Sequence, residues 1–131
     1  MKMKGRAQEL RIYIGETDQW HGKPLFAAIV LRARELGLAG ATVLRGIEGY
    51  GANSRIHTVQ LLRLSEDLPV VIEIVDLPER IALLLPELDA MVTEGLVTLR
   101  EVEVIKYTHN SAASSRGQAS GDEDAGGGRT G

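Results

Sequence analysis

The chain contains no cysteine, no strong excess of one charge and no apolar run long enough to cross a membrane. Without cysteine it has no disulfide framework, no thiolate nucleophile and no cysteine-based zinc site. Its 15 basic and 18 acidic residues give a formal charge of −3, which makes nucleic acid a poor default partner. A bilayer span needs about 20 consecutive apolar residues. The sequence therefore predicts a soluble cytoplasmic protein.

The C-terminal segment also lacks the residues that build a core. Residues 110–131 hold six glycines and no Leu, Ile, Val, Phe, Tyr or Trp. Such a segment buries too little apolar surface to offset the entropy lost on ordering. We predict one folded domain over residues 1–109 and a disordered Gly/Ser/Ala-rich tail over residues 110–131.

Hydrophobic periodicity predicts a strand, a helix and a second strand in the N-terminal half. Residues 10–14 alternate apolar and polar, as in a half-buried strand, and residues 15–22 are typical of a loop. Apolar residues then recur at three- and four-residue spacing over residues 24–36, which predicts an amphipathic helix. Residues 41–47 suit a second strand. The glycine-rich stretch that overlaps its end, residues 46–54, is typical of a loop.

The C-terminal half repeats this alternation of strand and helix. Residues 56–64 are compatible with an extended arm, and the β-branched residues 70–75 predict a central strand. An apolar stripe over residues 81–92 predicts a second helix, with Asp76 as its cap and a kink or break at Pro86.

A last strand is predicted over residues 96–107, which completes the order β-α-β-β-α-β. This order predicts a ferredoxin-like α+β fold, an antiparallel sheet with both helices on one face. Tyr13, Ile105, Tyr107 and the strand from Val70 place apolar side chains on the opposite face. A sheet-to-sheet oligomer would bury that surface.

Seven segments match a known family in the same order along the chain. They are residues 11–16, 22–25, 40–46, 49–51, 56–58, 68–76 and 95–98. Together they resemble an uncharacterised PII-like family, domain of unknown function one hundred and ninety, and the resemblance covers residues 9–107.

A looser resemblance extends to the PII nitrogen-signalling proteins and, as a fold relative, to CutA. Gly40, Thr42 and Val43 resemble the Gly-x-Thr-Val that opens the second PII strand, and residues 49–51 resemble the Gly-Phe-Gly at the root of the mobile PII loop. PII proteins are trimers with nucleotide sites between subunits and a loop that docks on client proteins. The resemblance thus implies a homotrimer with a client such as a membrane transporter.

The chain departs from PII at the phosphate-binding loop. Residues 94–101 keep only the first of its glycines, Gly95. A phosphate cradle needs glycines so that successive backbone N–H groups can approach the anion. Glu101 places a negative charge where a PII lysine compensates phosphate, and Arg100 is a partial substitute as a fork-shaped donor.

We predict a non-enzymatic regulatory protein that binds a small anionic effector, an adenine nucleotide being the leading candidate, and switches the loop over residues 49–66. The same glycines also suit a plain flexible loop root, and exposed arginines are often only solvated. The predicted effector-binding residues are Thr42, Arg45, Gly49, Gly51, Arg55, Arg100 and Lys106.

The main alternative is a CutA-like trimer that responds to metals or is purely structural and has no nucleotide site. Its only sequence support is His21, His57 and His109, which lack carboxylates at ligand spacing. Ser54 and His57 lie close in sequence without a partner carboxylate or oxyanion donors, so no catalytic residues are predicted. No metal ligand or required cofactor is predicted either.

Overall fold

The computed structural model describes residues 2–50 and 67–109. The chain divides into two compact units. One is Arg6–Val102, and the other consists of Met1–Gly5 and Glu103–Gly131. The predicted arm over residues 56–64 and the predicted tail over residues 110–131 lie outside the described residues.

Four strands form one sheet, and two very short strands form a separate hairpin. The sheet has the order β4-β5-β1-β6, with β4 and β1 both antiparallel to β5. The predicted α+β class, with a four-stranded antiparallel sheet and two helices, is confirmed. Along the described chain the elements are β1 (Lys2–Gly15), β2 (Gln19–Trp20), β3 (Lys23–Pro24), α1 (Leu25–Glu35), β4 (Thr42–Arg45), β5 (Pro69–Asp76), α2 (Pro78–Met91) and β6 (Leu96–Thr108).

Both helices cover the same face of the sheet. β1 and β5 pair so that Ile12 lies opposite Ile72, and the even-numbered residues on either side are buried with them. The alternation arises because successive strand side chains point to opposite faces. The buried core cluster is Leu10, Ile12, Ile14, Leu25, Ile29, Ala33, Leu38, Val70, Ile72, Ile74, Ile81, Leu84, Leu88 and Met91.

The carboxylate of Asp76 joins the end of α1 to the start of α2. α1 closes with Gly37 in the left-handed region (φ 88°), and the Gly37 and Leu38 amides donate to carbonyls of the last helical turn, as in a Schellman motif. Asp76 is fully buried, and its Oδ2 accepts a 2.7 Å hydrogen bond from the Ala39 amide. Its Oδ1 accepts a second, also 2.7 Å, from the Leu77 amide. The prediction that Asp76 caps α2 is wrong, because Leu77 occupies the N-cap position without a side-chain cap.

The sequence predicts a kink or a break at Pro86; α2 continues through this residue as one helix, which excludes the break. Pro86 lies on the exposed side of the helix, where water can hydrate the carbonyl that loses its amide donor. Leu85 belonged to the predicted apolar stripe, yet it is 36% exposed. The buried positions follow a narrower stripe that ends at Met91.

The hairpin of β2 and β3 replaces the end of the loop predicted over residues 15–22 and extends to Pro24. His21 (φ 52°) and Gly22 (φ 80°) form its two-residue turn, and positive φ at both positions is typical of a type I′ turn. The hairpin leads directly into α1. Strands of two residues are too short to show a periodicity, so hydrophobic patterning could not find them.

Candidate functional site at the root of the β4–β5 connection

The chain leaves the sheet after β4 and returns to it at β5. The two ends of this connection lie close together, and we call them its roots. The Gly46 amide donates a 2.7 Å hydrogen bond to the Pro69 carbonyl. A Cβ on Gly46 would lie 2.8 Å from Pro69 Cγ, and one on Gly49 would lie 3.2 Å from the same atom. Glycine at these positions therefore permits the close approach of the two roots.

The turn after β1 holds both roots through two adjacent residues. The guanidinium of Arg45, on the β4 side, hydrogen-bonds and ion-pairs with the carboxylate of Glu16. The hydroxyl of Thr17 donates a 2.9 Å hydrogen bond to Oδ1 of Asp67, on the β5 side. The Glu16 amide donates to the Leu68 carbonyl at 2.8 Å, which fixes the backbone of this turn. We call Glu16, Thr17, Arg45 and Asp67 the root clamp.

The same turn is connected to the start of α1. The Gly15 amide donates to Oδ2 of Asp18 at 2.9 Å, and the Asp18 carbonyl accepts from the Leu25 amide at 2.8 Å. A Cβ on Gly15 would lie 2.7 Å from Oδ1 of Asp67, so glycine also leaves room for the clamp carboxylate. The turn that carries Glu16 and Thr17 is therefore also hydrogen-bonded to the first residue of α1.

The sheet face away from the helices carries a row of ion pairs across its centre. Arg11 Nη2 lies 3.1 Å from Glu73 Oε2, and Arg11 Nε lies 3.4 Å from Glu9 Oε1. Arg100 Nε approaches the same Glu9 oxygen at 2.8 Å. A hydrogen bond to the Tyr13 hydroxyl, followed by the charge of Glu9, raises the pKa of Arg11. The centre of this face is thus charged, whereas the sequence pattern predicted apolar side chains on it.

The described members of the predicted effector set occupy different parts of the fold. Thr42 and Arg45 lie in β4, one edge of the sheet, whereas Arg100 lies in β6, the opposite edge. Lys106 belongs to the unit Met1–Gly5 and Glu103–Gly131 and is exposed. Gly49 adjoins Pro69 at the loop root. Gly51 and Arg55 lie outside the described residues.

Each described arginine of that set has a glutamate partner. Arg45 pairs with Glu16 and Arg100 pairs with Glu9. Sequence analysis missed Glu16, Thr17 and Asp67, because Thr17 and Asp67 are 50 positions apart and have no characteristic spacing. The available signal was a Gly-Glu-Thr-Asp turn directly after a strand, a composition typical of a hydrogen-bonded turn.

Within residues 2–50 and 67–109, no group of three or more His, Cys, Asp and Glu side chains is arranged to hold a metal ion. His21 stacks on Trp20 with ring centroids 4.2 Å apart, and Trp20 packs against the core. His57 lies outside the described residues. No helix in the described part of the chain is long and apolar enough to cross a membrane.

Comparison with known proteins identifies the family. The profile of the DUF190 family, described as uncharacterized ACR, matches residues 7–104. A UPF0166 protein of Aquifex aeolicus is 45% identical over 96 residues, which cover 73% of this chain and 90% of the relative.

Solved structures of PII-like proteins share the fold. A putative PII-like signalling protein from Thermus thermophilus superposes with a TM-score of 0.56 at 18% identity, covering 79% of this chain and 94% of that one. CPII from Thiomonas intermedia, determined with ADP, AMP and acetate, gives a TM-score of 0.55 at 16% identity, with 78% and 91% covered. The chain therefore belongs to the DUF190/UPF0166 family and has the fold of the PII-like signalling proteins.

Proposed function

We propose that the protein is a PII-like regulator without enzymatic activity. It assembles as a homotrimer and binds a small anionic effector of the adenine-nucleotide class in clefts between subunits. Binding changes the order of the connection over residues 49–66, which engages or releases a client protein. A membrane transporter is the client class that the resemblance to PII proteins implies.

The root clamp is the observation that carries this proposal. Both ends of the β4–β5 connection are tied to one short turn, and the same turn is hydrogen-bonded to the start of α1. A ligand that displaces either clamp bond therefore changes the anchoring of the connection. Switching by order and disorder of a segment is a common regulatory device.

The location of the cationic residues supports a site between subunits. Arg45 and Arg100 lie in opposite edge strands, so one copy of Arg6–Val102 does not bring them together. Adjacent subunits that meet edge to edge would place β4 of one copy near β6 of the next. CPII, which shares the fold, has a solved structure bound to ADP, AMP and acetate, which supports the choice of nucleotide class.

Ligand binding is tested by calorimetric and thermal-shift titration with ATP, ADP, AMP, cyclic AMP and divalent metal ions. We expect one adenine nucleotide to bind and to raise the melting temperature, because binding to the native state stabilises it by mass action. Arg45→Gln should weaken that binding about tenfold or more, since hydrogen bonds to charged groups contribute about 1.5–3 kcal/mol. Thr42→Ala should weaken it less.

Arg34→Gln is the matched control, because Arg34 is exposed near the end of α1 and loses the same charge. It should bind like the wild type. A metal response abolished by replacing His57 would favour the CutA-like alternative. Silence across the whole panel would contradict the proposed effector.

The assembly is tested by light scattering at micromolar protein concentration. We expect the mass of three chains of 14.2 kDa. The mass of a single chain would contradict the homotrimer and, with it, a site formed between subunits.

A further inference from the structure

Arg45 is already bound to an anion of the chain itself. Its guanidinium is paired with the Glu16 carboxylate, and the Arg45 side chain is 63% exposed whereas that of Glu16 is only 22% exposed. The Glu16 backbone is also held, through its amide, to the Leu68 carbonyl. Glu16 is thus the more fixed partner of the pair, and Arg45 is the more exposed one.

We propose that Glu16 is an internal competitor that occupies Arg45 in the effector-free protein and is displaced by the anionic group of the effector. This inference rests on the proposed function. The guanidinium fork binds carboxylate and phosphate with the same geometry, so the two anions compete for the same donors. Effector binding is therefore an exchange of one anion for another.

The exchange acts on only one side of the root clamp. The β5 side is held by the Thr17 hydroxyl on Asp67, a hydrogen bond whose donor is uncharged. An anion that captures Arg45 breaks the Glu16 bond on the β4 side. The Thr17–Asp67 hydrogen bond is not the bond for which the two anions compete.

The test is the affinity of Glu16→Gln for ADP and for inorganic phosphate, measured by calorimetry at low and high salt. Glutamine keeps the size and the hydrogen-bonding oxygen of the side chain but removes its charge. We expect binding about two- to five-fold tighter than in the wild type, the range set by the coupling energy of an exposed ion pair. The gain should shrink at high salt, because salt screens the pair that is being broken.

Two further variants separate competition for Arg45 from a general charge effect. Glu48→Gln removes a negative charge from an exposed residue near the same root and should tighten binding less. In an Arg45→Gln background, the effect of Glu16→Gln should disappear, since a double-mutant cycle isolates the coupling of the pair.

Each other result overturns the exchange. If the wild type binds and Glu16→Gln binds equally or more weakly, Glu16 does not compete and the proposed function stands without it. A gain that persists in the Arg45→Gln background assigns the effect to overall charge. Absence of binding in both the wild type and Glu16→Gln overturns the proposed effector together with the exchange.

Discussion

Leu84→Ala is expected to lower the free energy of unfolding by about 3 kcal/mol. Leu84 lies on the inner face of α2 and is fully buried in the core cluster. Truncation to alanine loses the free energy gained by burying the removed carbon atoms, and it leaves a cavity that a close-packed core closes only in part. The measurement is chemical denaturation followed by circular dichroism, at one protein concentration because assembly adds to apparent stability.

The neighbouring residue provides the matched control. Leu83→Ala is the same chemical change on the outer side of the same helix, where Leu83 is 52% exposed. Leu83→Ala should cost about 0.5 kcal/mol or less in the isolated subunit, as most exposed substitutions do. Equal losses for the two variants would contradict the exposure of Leu83 and show that the outer face of α2 is buried in the assembled protein.

Gly95→Ala should destabilise the protein by about 2–4 kcal/mol, through crowding and an unfavourable backbone conformation. A Cβ at Gly95 would lie 2.6 Å from the Tyr13 carbonyl oxygen, 3.0 Å from Val92 Cγ1 and 3.1 Å from Ile14 Cγ2. The contact to the Tyr13 oxygen is the severe one, because it belongs to the backbone of β1 and cannot move without disturbing the sheet. Gly95 also has a φ of 157°. Thermal and chemical denaturation measure the loss.

Gly40→Ala separates crowding from the general effect of replacing a glycine. A Cβ at Gly40 would meet no atom within 4 Å. We expect this variant to be as stable as the wild type or slightly more stable, because alanine restricts the unfolded chain. If Gly95→Ala is as stable as Gly40→Ala, the result would contradict the close approach of residue 95 to β1.

The contacts of Gly95 also give a structural reason why a glycine is present here, although the other glycines of the PII phosphate loop are absent. In this chain it permits the close approach of backbone to β1, and the residues that follow form the exposed edge strand β6. The sequence showed that the cradle glycines were missing. It could not show that the remaining one had a packing role, because that role depends on Tyr13 and Ile14, about eighty positions away.

The main elements were predictable because their hydrophobic patterns are long. Residues 10–14 and 70–75 show clear strand patterns, and each helix has an apolar stripe that repeats over several turns. Their order determines the fold class, since a β-α-β-β-α-β chain has few ways to bury both helices on one sheet. Two of the errors arose at single residues, Asp76 and Pro86, whose roles depend on the backbone groups around them.

The candidate site was less predictable than the fold. Arg45 and Gly49 were predicted as site residues because arginines and glycines near a loop have a recognisable composition. Glu16 and Asp67 were not, because a root clamp is made by residues that are distant in sequence and need no motif. Charge alone also did not reveal that Arg45 and Arg100 each have a glutamate partner, which the side-chain contacts show.

The row of ion pairs on the sheet face away from the helices affects which surfaces can pack against that face. A surface that covers Arg11 and Glu73 removes both from water, and this desolvation cost is recovered only where opposing polar groups are well aligned. In an assembly that buries this face, the charges would therefore favour one alignment of subunits over others, and the apolar residues around them would contribute the buried surface.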